Sequence, residues 1–194
     1  TGGLDAEWDG ARVTIPQLQP YLKEHDRGVR ERAFRLGAEA YLAHHAELAA
    51  LFDTMYALRQ RIARNAGFDN FMEYAFRAKH RFDYTPDDCA RFHAAVEATA
   101  APAVERLMAH RRAALGVEAV RPWDTLVQLE SDRPVRPFHD VTGFVEPAKR
   151  IFDALDPELG GQFREMADAG LLDLESRPGK APGGYCTKLP WRGR

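Results

Sequence analysis

Thr85-Pro86-Asp87-Asp88 opens the stretch that decides the fold, which runs on to Gly116. A capping hydroxyl, a proline where no amide hydrogen is needed and two carboxylates beside the positive helix end predict a helix that begins at Pro86. Phe92, Val96, Leu107 and Leu115 mark its expected buried stripe. Pro102 is expected to kink it by removing an interior hydrogen bond, and Gly116 to end it.

Helical spacing continues on both sides. Asn70 with Glu73 three residues on is a capping-box pattern for a short helix carrying Phe71, Tyr74 and Ala75. Before it, Asp26 can cap a segment reaching about Asn65, with Val29, Ala33, Leu36 and Ala40 and then Leu48, Leu51, Met55, Leu58 and Ile62 at spacings of three and four. This segment is one long helix or two, and Gly67 is its natural stop. Nearer the start, Ala11 to Thr14 suits a strand, and Pro16 opens a brief helix with Ile15, Leu18 and Leu22 that ends near His25.

After Gly116 the pattern breaks. Pro122, Pro134 and Pro137 among Trp123, Leu126, Val127 and Leu129 predict an irregular crossing from Val117 to His139. Helix returns near Val141 with Phe144, Ala148, Ile151, Phe152 and Leu155 as its stripe, and Asp156-Pro157 caps another helix ending at Gly170. Turn formers fill Arg177 to Gly184, and Tyr185-Cys186-Thr187-Lys188-Leu189 suits a strand. The expected fold is mainly α, a single helical region over residues 1–194, with a short β element near the C-terminus.

A chain of 194 residues, 45% hydrophobic, can bury a full-sized core. Its 27 basic and 29 acidic residues leave a net charge of -2, which argues against nucleic acid or an anionic membrane as partner. No apolar run approaches bilayer length, and no basic start leads into an apolar signal core. Cys89 and Cys186 lie far apart and outside any C-x-x-C pattern, so a reducing, cytoplasmic setting is expected. Thr1-Gly2-Gly3 and Trp191-Arg192-Gly193-Arg194 read as the cut ends of a longer protein.

Seven histidines invite a metal hypothesis. A zincin helix needs His at i and i+4 with Glu beside the first, and no pair fits. His44 and His45 are adjacent and point about 100° apart on a helix, while His44 with Glu47 lacks the paired Glu-x-x-His motifs of a di-iron bundle. Hydrogen bonding at the surface or between helices is their expected role, and no metal ligand is expected in this chain. Cys89, in the first turn of a helix, is read as a small buried hydrophobe. Nucleotide and serine-hydrolase motifs are absent. Charged faces such as Arg30-Glu31-Arg32 are read as solvated, with i,i+4 pairs.

One segment fits neither a helix stripe nor an ordinary loop: Gly179-Lys180-Ala181-Pro182-Gly183-Gly184-Tyr185-Cys186. Glycine lets another backbone approach, and a strand with an open edge can pair with an extended peptide. From chemistry alone an ordinary hairpin connection is the simpler reading.

The run from Asp173 through Gly183-Gly184-Tyr185-Cys186 closely resembles the stretch before the zinc helix in the oligoendopeptidase F branch of the thimet-oligopeptidase-like metallopeptidases. The resemblance extends upstream in order: Asp26 to Ala33 is similar to that family's d-x-x-v-R-x-x-A, Arg77 follows a family-like Phe71-x-x-Tyr74, Phe92, Val96, Pro102 and Leu115-Gly116 match its long helix, and Arg121-Pro122-Trp123-Asp124 matches its p-W-D element.

This resemblance implies a helical scaffold around a deep channel that admits short peptides. It also implies zinc held by H-E-x-x-H and a distant glutamate, with the motif glutamate as general base and histidine and tyrosine further on stabilising the oxyanion. In the family all of these follow the Gly-Gly-Tyr-Cys strand, and this sequence ends eight residues past Cys186. The chain alone is therefore expected to bind no zinc and cleave nothing. Gly183, Gly184, Tyr185 and Cys186 are the expected substrate-binding residues, short peptides the expected partners of the parent enzyme, and self-association through apolar faces the physical expectation for the fragment. Two rivals stand beside this reading: a non-catalytic helical module that binds a peptide or protein, and a metal-dependent oxidase-like bundle.

Overall fold

The structure is a computed structural model and describes residues 2–129 and 137–187. Strands β1 (Asp5–Trp8) and β2 (Ala11–Thr14) form an antiparallel hairpin in which Asp5 faces Thr14 and Trp8 faces Ala11. Its two-residue turn is Asp9-Gly10 with φ +51° and +82°, the double left-handed geometry that suits the right-handed twist of a hairpin. Ile15–Lys23 follows as a 3-10 helix rather than an α-helix. Pro20 inside it has no amide hydrogen to donate, so the helix lacks one internal bond at that point.

The long segment after Asp26 resolves into two helices, α1 (Arg27–Leu42) and α2 (His45–Asn65). Asp26 caps α1, accepting from the Gly28 and Val29 amides at 2.7 and 3.2 Å. Gly67, at φ +80°, stops the chain past α2 as expected. Helix α3 (Phe71–Ala78) starts at Asn70, whose side chain accepts from the Glu73 amide at 3.1 Å.

Helix α4 runs from Pro86 to Leu115 and ends on left-handed Gly116. Its start is a reciprocal cap: Thr85 Oγ1 accepts from the Asp88 amide at 3.2 Å, and the Thr85 amide donates to Asp88 Oδ2 at 2.7 Å. The helix stays continuous across Pro102. In the crossing, Pro122–Asp124 forms one 3-10 turn, and Pro134 lies outside the described residues. Helices α5 (Val141–Leu155) and α6 (Pro157–Asp168) pack on each other as a pair, with the Phe152 and Phe163 rings stacked at 4.8 Å.

The main core joins the hairpin, the 3-10 helix and α1: Trp8, Ile15, Leu18 and Ala33 are buried, with Tyr21 against Trp8 at 4.4 Å. Arg32 lies over the Trp8 ring at 4.0 Å, and its guanidinium pairs with Asp9 at 2.6 Å. The solvated reading of Arg30-Glu31-Arg32 needs correction at Arg30, which is buried against Asp124 of the crossing at 2.9 Å. Glu31 does form its i,i+4 pair with Arg35.

Two further expectations are corrected. The stripe expected to be buried on α4 is largely open, with Phe92, Val96 and Leu107 at 67, 42 and 62% exposure, and Ile151 and Leu155 of α5 are likewise exposed. Period reports that a helix has an apolar face; it cannot report what covers that face. The strand expected from Tyr185 does not form over residues 185–187, because no described segment pairs with it; Lys188 and Leu189 lie outside the described residues.

Candidate functional site

The glycine-rich segment is held by what precedes it. Arg177 and Asp173, four residues apart, form a two-pronged pair, with Arg177 Nη1 donating to Oδ1 at 2.5 Å and Nη2 to Oδ2 at 2.9 Å. Lys180 reaches back into the same loop, its ammonium donating to the Asp173 carbonyl at 2.7 Å, the Glu175 carbonyl at 2.7 Å and Asp173 Oδ1 at 3.1 Å. Hydrogen bonds from Arg177, ahead of those from Lys180, hold the Asp173 carboxyl well below the usual carboxylate range, and the same pair raises Arg177. The carboxylate therefore stays charged at neutral pH.

Between these charges the backbone makes a tight turn. The Lys180 amide donates to the Arg177 carbonyl at 3.1 Å, with Pro178 and left-handed Gly179 at the central positions, the residue order of a type II turn.

The loop also docks on the start of the chain. The Gly179 amide donates to the Gly2 carbonyl at 2.9 Å, and a Cβ at Gly2 would lie 2.9 Å from the Lys180 backbone. Ser176 Oγ and Thr14 Oγ1 are 2.9 Å apart. Thr14 Oγ1 gives its one proton to Gln17 Oε1 at 3.1 Å, so Ser176 donates and Thr14 accepts.

Beyond the docked loop the chain opens. Gly183 has φ +99°, a Cβ at Gly184 would meet nothing within 4 Å, and Tyr185 is 87% exposed. Cys186 is a free, exposed thiol. Gly183, Gly184, Tyr185 and Cys186 thus stand together as an exposed segment with no sheet partner among the described residues. The reading of Cys89 as buried is softened to half-buried.

All seven histidines are exposed. His44 Nδ1 meets Glu47 Oε2 at 3.1 Å across the first turn of α2, a surface hydrogen bond of the expected kind. Among the described residues no three His, Cys, Asp or Glu side chains come together as a metal site, so the residues present do not fit zinc. Arg77 of α3 lines an aromatic groove of about 400 Å³ with Phe68, Phe76, Phe82 and Tyr84, away from the glycine-rich segment.

Sequence reasoning missed two groups that shape the site. Asp173 and Arg177 carry an i,i+4 charge signature and Lys180 follows seven residues after Asp173, a local pattern, whereas the Ser176–Thr14 contact spans 162 positions and left no local signal. The second group is the lock around Asp124. Arg27 donates to Asp124 at 3.0 and 2.8 Å, Arg30 at 2.9 Å and the Arg121 amide at 2.9 Å. Arg111 of α4 donates to the Asp124 and Val127 carbonyls at 3.0 and 2.7 Å. Trp123 beside it packs on α1, 5.7 Å from the Phe34 ring and 5.1 Å from the Arg35 guanidinium. The lock fixes α1, the crossing and α4 relative to one another.

Comparison with known proteins follows the same span. The model of peptidase family M3 matches residues 21–192. An X-ray structure assigned as an oligoendopeptidase F superposes with a TM-score of 0.88 at 31% identity, covering 96% of this chain and 33% of that one. PZ peptidase A with an inhibitor gives the same values, a TM-score of 0.88 and 31% identity over 96% and 33% of the two chains. A Bacillus anthracis protein assigned as an oligoendopeptidase F gives 0.87 at 28% identity, over 96% and 34%. The chain thus spans about a third of the length of the structures it matches. No curated protein sequence matches it.

Proposed function

The chain belongs to peptidase family M3, and on that premise we propose that it is part of a zinc-dependent metalloendopeptidase that hydrolyses short peptides. One observation carries this: the chain matches a protein assigned as oligoendopeptidase F over 96% of its length at a TM-score of 0.88. Residues 1–194 act in this reading as one helical region of a larger enzyme. The helices and the Asp124 lock supply scaffold, and Gly183 to Thr187 supplies an edge of the substrate cleft.

The open backbone of that segment supports the second role. An extended peptide can add to a free edge by main-chain hydrogen bonds, and Gly184 leaves the room such an approach requires. The donors for zinc are assigned in this reading to residues outside this chain, since no three His, Cys, Asp or Glu side chains come together among the described residues. We place the enzyme in the cytoplasm, a reading supported by the free thiols of Cys89 and Cys186. No helix among the described residues is long and apolar enough to cross a membrane.

The test is turnover of a short peptide by the full-length enzyme before and after chelation. Loss of hydrolysis with chelator and its return with added zinc is expected. Peptide turnover indifferent to chelation, or absent altogether, would contradict the proposal.

A further inference from the structure

We infer that the Asp173–Arg177–Lys180 clamp, seated on the hairpin residue Thr14 through Ser176 and on Gly2 ahead of the hairpin through Gly179, positions the Gly183–Thr187 segment for peptide binding, with Asp173 as the central positioning residue. This rests on the proposed role of that edge as part of the cleft.

The geometry leaves little freedom between clamp and edge. Only Ala181 and Pro182 separate Lys180 from Gly183, a reach of at most about 10 Å when extended. Pro182 fixes its own φ and restricts Ala181 before it, so a shift of Lys180 is passed to Gly183 rather than absorbed. Lys180 commits all three ammonium hydrogens to one loop, to acceptors at 2.7, 2.7 and 3.1 Å.

The clamp makes little sense as a source of global stability. Asp173 and Arg177 are more than half exposed, at 54 and 58%, and exposed ion pairs contribute little. Its effect is to choose one loop conformation. The seat beneath supplies the fixed reference, since Thr14 is 4% exposed and ends a strand that runs directly into the buried core. The hairpin and the residues before it precede the span matched by the family model, which begins at residue 21, yet they hold the loop at two points, Thr14 in β2 and Gly2 ahead of β1.

The experiment uses the full-length enzyme with Asp173→Asn, Asp173→Glu and Ser176→Ala, read by hydrogen exchange of the 177–187 backbone and by KM and kcat for a short peptide. Asp173→Asn is expected to speed exchange of the Gly179 and Lys180 amides about tenfold. It should also raise KM about tenfold with kcat nearly unchanged, the pattern of lost uniform binding. Melting temperature and zinc content should stay at wild-type values. Asp173→Glu, which keeps the charge, should recover part of both effects, and Ser176→Ala should show a weaker form of them. Wild-type exchange in Asp173→Asn overturns the clamp whatever the kinetics show. Faster exchange with unchanged KM overturns the link from loop to peptide. A wild-type enzyme inert toward peptides overturns instead the reading on which the inference rests, and the same assay reports it separately.

Discussion

Arg30 of α1 and Asp124 of the crossing meet at 2.9 Å with side chains only 3 and 0% exposed, a charge pair withdrawn from water on both sides. Such a pair is tolerable only when its remaining donors and acceptors are satisfied. Here they are: Arg30 also donates to the carbonyls of Glu24, His25 and Trp123, and Asp124 also accepts from Arg27 and the Arg121 amide.

Asp124→Ala therefore strands a buried guanidinium and is expected to cost about 3–5 kcal/mol. Arg27→Ala should cost about 1 kcal/mol or less, because Arg27 is 43% exposed and Asp124 keeps Arg30. Thermal melting of the two variants of the full-length enzyme checks the ranking, and equal losses would place the lock's weight elsewhere.

Acid should open the same lock. Hydrogen bonds from Arg27 above all, joined by those of the Arg121 amide and Arg30, hold the Asp124 carboxyl far below the usual range against the opposing effect of burial. A folded-state value below the unfolded one, about 3.9, gives stability that is present above pH 4 and lost as pH falls toward the folded value. Stability followed from pH 6 to pH 2 should fall below pH 4 in the wild type and fall less steeply in Asp124→Asn.

The element order was legible because its signals are local: Thr85-Pro86 at the start of α4, Asn70 at α3 and Asp156-Pro157 at α6 each appear where they cap. Strand β1 was missed although Asp9-Gly10 is a strong hairpin signal, because Asp5–Trp8 lacks the β-branched residues that mark strands. The break between α1 and α2 has no sequence mark, because apolar spacing continues through Ala43-His44 without proline or glycine. Arg30 and Asp124 belong to two separate family-like stretches of the sequence. Their pairing across 94 positions is tertiary, and periodicity holds no trace of it. The glycine-rich segment stood out in sequence, whereas its seat on Gly2 and Thr14 did not.

The open faces of α2 and α4 predict how the chain behaves alone. Leu51, Phe52 and Ile62 on α2 and Phe92, Val104 and Leu107 on α4 are all exposed, more apolar surface than a monomer usually leaves to water. The isolated chain should self-associate in light scattering, and Phe92→Glu with Leu107→Glu should shift it toward monomer. A monodisperse wild-type monomer would count against this.

Metal retention offers a separate check. Equilibrated with zinc and then desalted, the 194-residue chain should keep no stoichiometric metal, because its described residues bring no three ligand side chains together. One zinc retained per chain would show that the ligand set had been misplaced.

The most direct measurement is peptide turnover and zinc content in full-length Gly184→Val. A Cβ at Gly184 meets nothing within 4 Å in this chain, so the substitution should leave the fold undisturbed and be felt by an approaching peptide. Full zinc, an unchanged melting temperature and turnover reduced at least tenfold, or about 1.4 kcal/mol of lost transition-state binding, are expected. Wild-type turnover in that variant would contradict the placement of Gly183 to Thr187 in the cleft.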